Sequence, residues 1–388
     1  MPMRDPAEAF SATYAEARAK FLAAAGARGY AVESHVHPSA RGAEGEPLAM
    51  DVATGGRGDA DALLLITSGT HGVEGFCGSG CQVALLGDDA FAADVDVAGV
   101  AVALVHAITP YGFSHLRRTN EDNVDLNRNF ALEPGGFDPA INRAYDKIAG
   151  FLNPARPLPA PLLARLAFAA GLLRHLLAPG PAVLRRAALL GQYRHPRGIY
   201  YGGTGLQPET AVMIERYRDC LDAYPHLVLL DMHTGYGPRW QMSVVCSPLE
   251  AGEPAALARR FGYPRVVKAG GDAFYAMQGD MIDCAYRLAA QVPGRRIFAA
   301  SFEFGTLGDS LLAGIRSLRA TVWENQARCH GAGPGMAAVV AREYGALFYP
   351  SDPAWRAKAL ADARRALEGI LQAEGLLGAG PGAAGVGP

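Results

Sequence analysis

The stretch LLLITSGTHGVEG, residues 63–75, decides how this chain is read. Leu63 to Ser68 is an uncharged, largely aliphatic run of strand length, and His71 and Glu74 follow where that strand should end. Neutral imidazole and carboxylate are the donors that hold zinc, and a catalytic zinc takes three protein ligands and keeps a fourth position for water. Two candidates stand here, so the chain has to supply a third.

Similar apolar runs recur outward from this stretch, at 99–106, 227–231, 242–246, 265–268 and 297–304, with helical segments between several of them. Near-continuous apolar strands alternating with helices predict an α/β fold: a mostly parallel or mixed twisted sheet flanked by helices. Functional residues then gather at the carboxyl ends of the strands. From about 140 to 190 the pattern becomes Ala/Leu/Arg-rich and helical, broken by NPARPLPAP and APGPA, which predicts an inserted helical hairpin acting as a lid or subunit contact. Residues 353–377 read as one amphipathic helix, and GAGPGAAGVGP as a disordered tail. The expected organisation is one catalytic domain over 1–377, with the tail at 378–388.

Composition narrows the partners. Among 388 residues, half are hydrophobic, enough to bury a large core. The 36 Lys and Arg against 38 Asp and Glu leave a formal charge of −2 with no long basic cluster, so nucleic acid is not an expected partner. The run 162–177 is interrupted by Arg165, Arg174 and His175 and is short for a bilayer, so no membrane span is expected. The first twenty residues are charged throughout and lack a signal-peptide core, which points to the cytoplasm. Six cysteines without a C-x-x-C pair are expected to be reduced, with Cys77 and Cys81 packing along one helix.

The third ligand candidate is His233 in LLDMHTGYG, again at the end of an apolar strand. Asp231, two residues earlier, is placed either to orient a ligating imidazole or simply to cap the strand. Glu303 in AASFEFGT is a carboxylate in an apolar strand, where burial raises its pKa toward that of a general base. A core ion pair with arginine is the competing reading of the same residue.

His71, Glu74, His233 and Glu303 in this order resemble the zinc carboxypeptidases of the carboxypeptidase A type, in a bacterial branch, with the match running over 62–305. The resemblance implies that one zinc ion is bound by His71, Glu74 and His233 with Glu303 as base. NRNF at 127–130 then corresponds to the Asn-Arg pair that grips the terminal carboxylate, giving that role to Asn127 and Arg128. TPYGFSHLRRTN corresponds to the segment carrying the oxyanion arginine. Arg117 and Arg118 compete for that place, with a slight lean to Arg117. In YAMQGDMIDCAY, Tyr275 matches the substrate-capping tyrosine and Ile282 the pocket floor, which implies an uncharged side-chain preference. The turn Thr234-Gly235-Tyr236 after the third ligand departs from the family pattern.

The expected activity is zinc-dependent cleavage of a peptide or amide bond next to a free carboxylate, on a small peptide or N-acyl amino acid. Two alternatives stay open: a deacylase of the aspartoacylase or succinylglutamate desuccinylase type, and a non-catalytic carboxylate-binding protein. Self-association through the helical insertion is a further expectation. Asp122 and Asp125 are read as supports for the arginines, with a second metal site as the sharper alternative. His195, Tyr200 and Tyr201 lie in a Gly-rich loop open to either substrate contact or packing, and His106 reads as a core residue.

Overall fold

Every residue of 62–68 and 100–106 is buried, as strands covered on both faces require. The computed structural model describes residues 6–133, 135–270 and 277–378. Its strands are β1 (Ala31–Arg41), β2 (Pro47–Gly55), β3 (Ala62–Ser68), β4 (Val100–His106), β5 (His226–Thr234), β6 (Met242–Cys246), β7 (Val266–Lys268) and β8 (Arg296–Phe304). They form one sheet in the order β1-β2-β4-β3-β5-β8-β6-β7. Its centre, β4-β3-β5-β8, is parallel, while β1, β2 and β6 run antiparallel to their inner neighbours. The expected mixed α/β sheet is therefore present.

Alternation along β5 divides the core. Val228, Leu230 and Met232 face helices Tyr14–Ala27, Gly75–Leu86 and Pro353–Ala373, whereas Leu227 and Leu229 face helices Pro208–Ala223 and Met281–Ala289. By the same period, Asp231 and His233 emerge on the second face at the carboxyl end.

β1 and β2 escaped the sequence reading. β1 is exposed along most of its length and carries no apolar run. β2 is interrupted by Asp51, which is fully buried because Arg18 donates to it at 2.7 and 3.0 Å and Ser34 at 2.5 Å.

The insertion is not a simple hairpin. It contains four helices, Arg143–Asp146, Ala149–Leu152, Pro161–Leu177 and Pro181–Leu189, and the last two meet at 112°. Prolines at 154, 157, 159, 179 and 181 break what composition alone presents as two long helices. Tyr145, Ile148, Phe168 and Leu184 form a separate core with Val322 and Trp323 of helix Leu311–His330 and with Met336 and Val340 of helix Met336–Phe348. Leu162, Leu163, Leu166 and Leu173 point outward. Among the described residues no single helix is long and apolar enough to cross a membrane, although Pro161–Leu177 and Pro181–Leu189 meet that measure as a bent pair. None of the six cysteines forms a disulfide. The last helix ends at Ala373, and 379–388 of the expected tail lie outside the described residues.

Candidate metal centre

His71 leaves the end of β3 in extended conformation and opens a single tight turn, Gly72–Glu74, that runs into helix Gly75–Leu86. Gly72 is required there, because a Cβ would sit 2.1 Å from Gly112 C and 2.2 Å from Phe113 N. That approach lets the Gly72 and Val73 N–H groups donate to the carbonyls of Arg118 (3.2 Å) and Arg117 (2.8 Å). The backbone of the ligand turn is thus docked directly on that of the arginine segment. His233 comes from the adjacent strand end and lies in register with Glu303 of β8, so their side chains leave the same face of the sheet.

The three donors converge. His71 Nδ1 lies 3.0 Å from Glu74 Oε1, His233 Nδ1 lies 3.2 Å from Glu74 Oε2, and the two Nδ1 atoms are 3.2 Å apart. A tetrahedral zinc with ligands about 2.0–2.1 Å away has ligand–ligand edges of about 3.3–3.4 Å. Two nitrogens and one carboxylate at nearly that spacing fit the ion in both chemistry and size. All three residues are buried.

Each imidazole also has a carboxylate behind it. His71 Nε2 is 3.0 Å from Asp125 Oδ1, and His233 Nε2 lies against Asp231 Oδ2. In both rings it is Nδ1 that faces the other donors, with the carboxylate on the Nε2 side, the orientation a ligating imidazole backed by a carboxylate adopts. Asp231 is itself fixed by the hydroxyls of Thr67 at 2.6 Å and Thr70 at 3.1 Å. Although burial opposes its charge, His71, His233 and Arg118 hold the Glu74 carboxyl well below the usual range. Asp125 is likewise held low against its burial, chiefly by Arg118 and His71.

Glu303 lines the same pocket and is 6 % exposed, with Oε1 accepting the Tyr236 N–H at 2.9 Å. Burial, reinforced by the Glu74 charge, pushes its carboxyl up to about 8. No arginine ion pair involving Glu303 occurs among the described residues, so the core-pair alternative has no support in the geometry.

The two arginines separate. Arg118 lines the pocket and donates to Glu74 Oε1 at 2.9 Å and Asp125 Oδ2 at 2.8 Å, while its Nη2 stands 2.6 Å from His71 Nε2. Arg117 points elsewhere, donating to Glu324 at 2.9 Å and Asn123 at 2.8 Å. The sequence lean toward Arg117 therefore does not match the placement; adjacent residues project to different sides, and only the backbone path decides which faces the site.

Asn127 and Ile282 line the pocket, and Asn127 Oδ1 accepts the Met281 N–H at 2.9 Å. Arg128 is fully buried just behind, donating to the carbonyls of Asn127 (2.9 Å) and Leu189 (2.8 Å). Tyr275 lies outside the described residues. The pocket floor also carries Ser247, Asp280 and Ser301, more polar than Ile282 alone suggested.

Tyr200 has a larger place than a loop aromatic would. Both the Arg118 and the Arg128 guanidinium groups lie over its ring, at 5.5 and 5.7 Å from the centroid, and its φ of 56° is in the left-handed region. His106 is a buried residue stacked on Phe21, as expected, and His195 pairs with Asp146 away from the pocket.

A second donor trio, His37, Glu121 and Glu209, also comes together. Here His37 Nδ1 accepts the Ala40 N–H at 2.9 Å, so the neutral ring carries its proton on Nε2, 2.7 Å from Glu121 Oε1. A ring held this way donates to the carboxylate and is not available to a metal.

A family described as "Protein of unknown function (DUF2817)" matches residues 10–362. No curated protein matches the sequence. Among solved structures, carboxypeptidase A from Helicoverpa armigera is similar at 14% identity and a TM-score of 0.49, over 93% of this chain and 73% of that one. Bovine thrombin-activatable fibrinolysis inhibitor, solved with tick carboxypeptidase inhibitor, has 14% identity and a TM-score of 0.45, over 85% and 97%. An aspartoacylase family protein from Mesorhizobium loti has 16% identity and a TM-score of 0.34, over 79% and 68%. At these values the likenesses assign no activity.

Proposed function

Since the chain belongs to the DUF2817 family, whose description names no activity, we propose from the site geometry that it is a zinc-dependent hydrolase of a peptide or amide bond next to a free carboxylate. The observation that carries the proposal is the convergence of His71 Nδ1, Glu74 and His233 Nδ1 beside an in-register buried glutamate, Glu303. Zinc in this site supplies Lewis acidity, which polarises a carbonyl and makes water a stronger nucleophile near neutral pH.

The chain's own groups supply the rest. Tyr236 N–H fixes one oxygen of Glu303, leaving the other to take a proton from the attacking water and return it to the leaving amine. Arg118 holds Glu74 and His71's partner Asp125 and brings the positive charge nearest the reacting carbonyl. Asn127 offers its amide to the substrate carboxylate, with Arg128 contributing charge from behind it. The ordered sequence motifs support the same roles, and the proposed substrates are small peptides or N-acyl amino acids.

The test is an assay of the zinc-loaded chain on N-blocked dipeptides and N-acyl amino acids, beside a Glu303→Gln variant. Hydrolysis that falls by about 10²–10⁴ in a variant retaining zinc is the expected result. Equal hydrolysis by both proteins would refute the mechanism. Turnover of N-acyl amino acids alone would favour the deacylase reading, and no turnover on a broad amide panel the carboxylate-binding one.

A further inference from the structure

A second cavity, about 560 Å³, opens between the insertion and helix Leu311–His330. That is within the roughly 300–1,000 Å³ typical of small-molecule sites. Its floor is aromatic and apolar, built by Phe151, Phe168, Val322 and Trp323, all buried. The Phe151 ring packs on Phe168 at 5.3 Å and stacks on His175 at 5.0 Å and 19°. Lys147, Arg156, Arg174 and His175 also line the cavity, and no Asp or Glu does among the described residues. Lys147, Arg156 and Arg174 enter no ion pair among those residues, and all three are exposed, so their side chains are open to an incoming anion.

We propose that this cavity is a second ligand site, separate from the metal centre, that takes a small monoanion with an aromatic or branched acyl body. The apolar floor buries the body, and the basic rim offers charge-assisted hydrogen bonds to a carboxylate or similar head. An apolar ligand without a head forgoes the rim, and a compact inorganic anion forgoes the floor. Helix Leu311–His330 gives Val322, Trp323 and Gln326 to this cavity and Ser317 and Thr321 to the metal pocket, so the two sites share one wall. This inference does not rest on the hydrolase reading.

The probes are 4-phenylbutyrate and its neutral amide, titrated calorimetrically into the full chain with Trp323 emission as a second readout. Three variants accompany it: Arg156→Gln/Arg174→Gln, Ala167→Trp, which fills the cavity from an exposed helix position, and His233→Ala, which disables the metal pocket. The acid is expected to bind about tenfold more tightly than the amide, a preference lost in the double arginine variant. Ala167→Trp should abolish binding and His233→Ala should leave it intact. Equal affinity for acid and amide, no binding by the folded wild type, or binding insensitive to Ala167→Trp would each overturn the proposal. So would binding that vanishes with His233→Ala while the chain stays folded. A crystal soaked with 4-bromophenylacetate gives an independent check: bromine beside Trp323 supports the site, and bromine only elsewhere contradicts it.

Discussion

Burial raises the carboxyls of both Glu303 and Glu209, which on the proposed mechanism serves chemistry at the first and opposes stability at the second. Glu303, pushed up to about 8 by burial and the Glu74 charge, should show a lower value once a divalent cation sits beside it. The acid limb of the kcat/KM profile of the metal-loaded enzyme is therefore expected below pH 8 and absent from the residual activity of Glu303→Gln. Among the described residues Glu209 forms no ion pair with a lysine or arginine, and burial, with Glu121 adding repulsion, outweighs the opposing pull of His37 and raises it to about 7. Its folded value exceeds its unfolded one, so stability is full below about pH 4.5 and is lost as pH rises toward 7. Glu209→Gln should recover up to about 3 kcal/mol at pH 8 and little at pH 4, read by urea denaturation at both. The arginines supply a third contrast. Arg118→Gln should lower kcat, because Arg118 touches Glu74. Arg117→Gln should instead weaken the fold through its lost pair with Glu324 while sparing chemistry, a split that steady-state kinetics and thermal melts resolve.

At the scale of elements, the site is a product of strand ends. The run 63–68 and the run 227–231 were legible because strands buried on both faces leave continuous apolar sequence, and His71, Glu74 and His233 were legible because they follow those runs. β1 was not, since an exposed edge strand needs no apolar pattern, and β2 was hidden by Asp51, whose partners Arg18 and Ser34 are remote in sequence. Arg118 could not be told from Arg117, because the carbonyls of both dock on the Gly72 turn and only the folded backbone path sends the Arg118 side chain to Glu74 and the Arg117 side chain to Glu324. The special place of Tyr200 carried no signal beyond a Gly-rich neighbourhood, since its two arginine neighbours come from a different segment. That docking makes an element-scale prediction. Gly72→Ala must displace the turn from Gly112 and Phe113, so zinc affinity and thermal stability should fall together. Asp231→Asn should instead weaken zinc by about 10–100-fold with little change in the metal-free melt.

For the molecule as a whole, a metal ion held by His71, Glu74 and His233 would tie together β3, the Gly72 turn and β5, segments far apart in sequence, and so would couple binding to folding. Zinc at about 100 times its Kd should stabilise the chain by about 2.7 kcal/mol, and a chelator should remove that increment reversibly. The insertion, seated on its own core with helices Leu311–His330 and Met336–Phe348, is attached to the same body that walls the pocket. The proposed hydrolysis depends on whether the His-Glu-His site takes a metal. The most direct measurement is the zinc content of the purified, zinc-equilibrated chain beside that of His233→Ala, by elemental analysis after gel filtration. One zinc per wild-type chain and a large loss in the variant is the predicted result. A wild-type chain that carries no zinc, or a variant that retains it in full, would contradict the account.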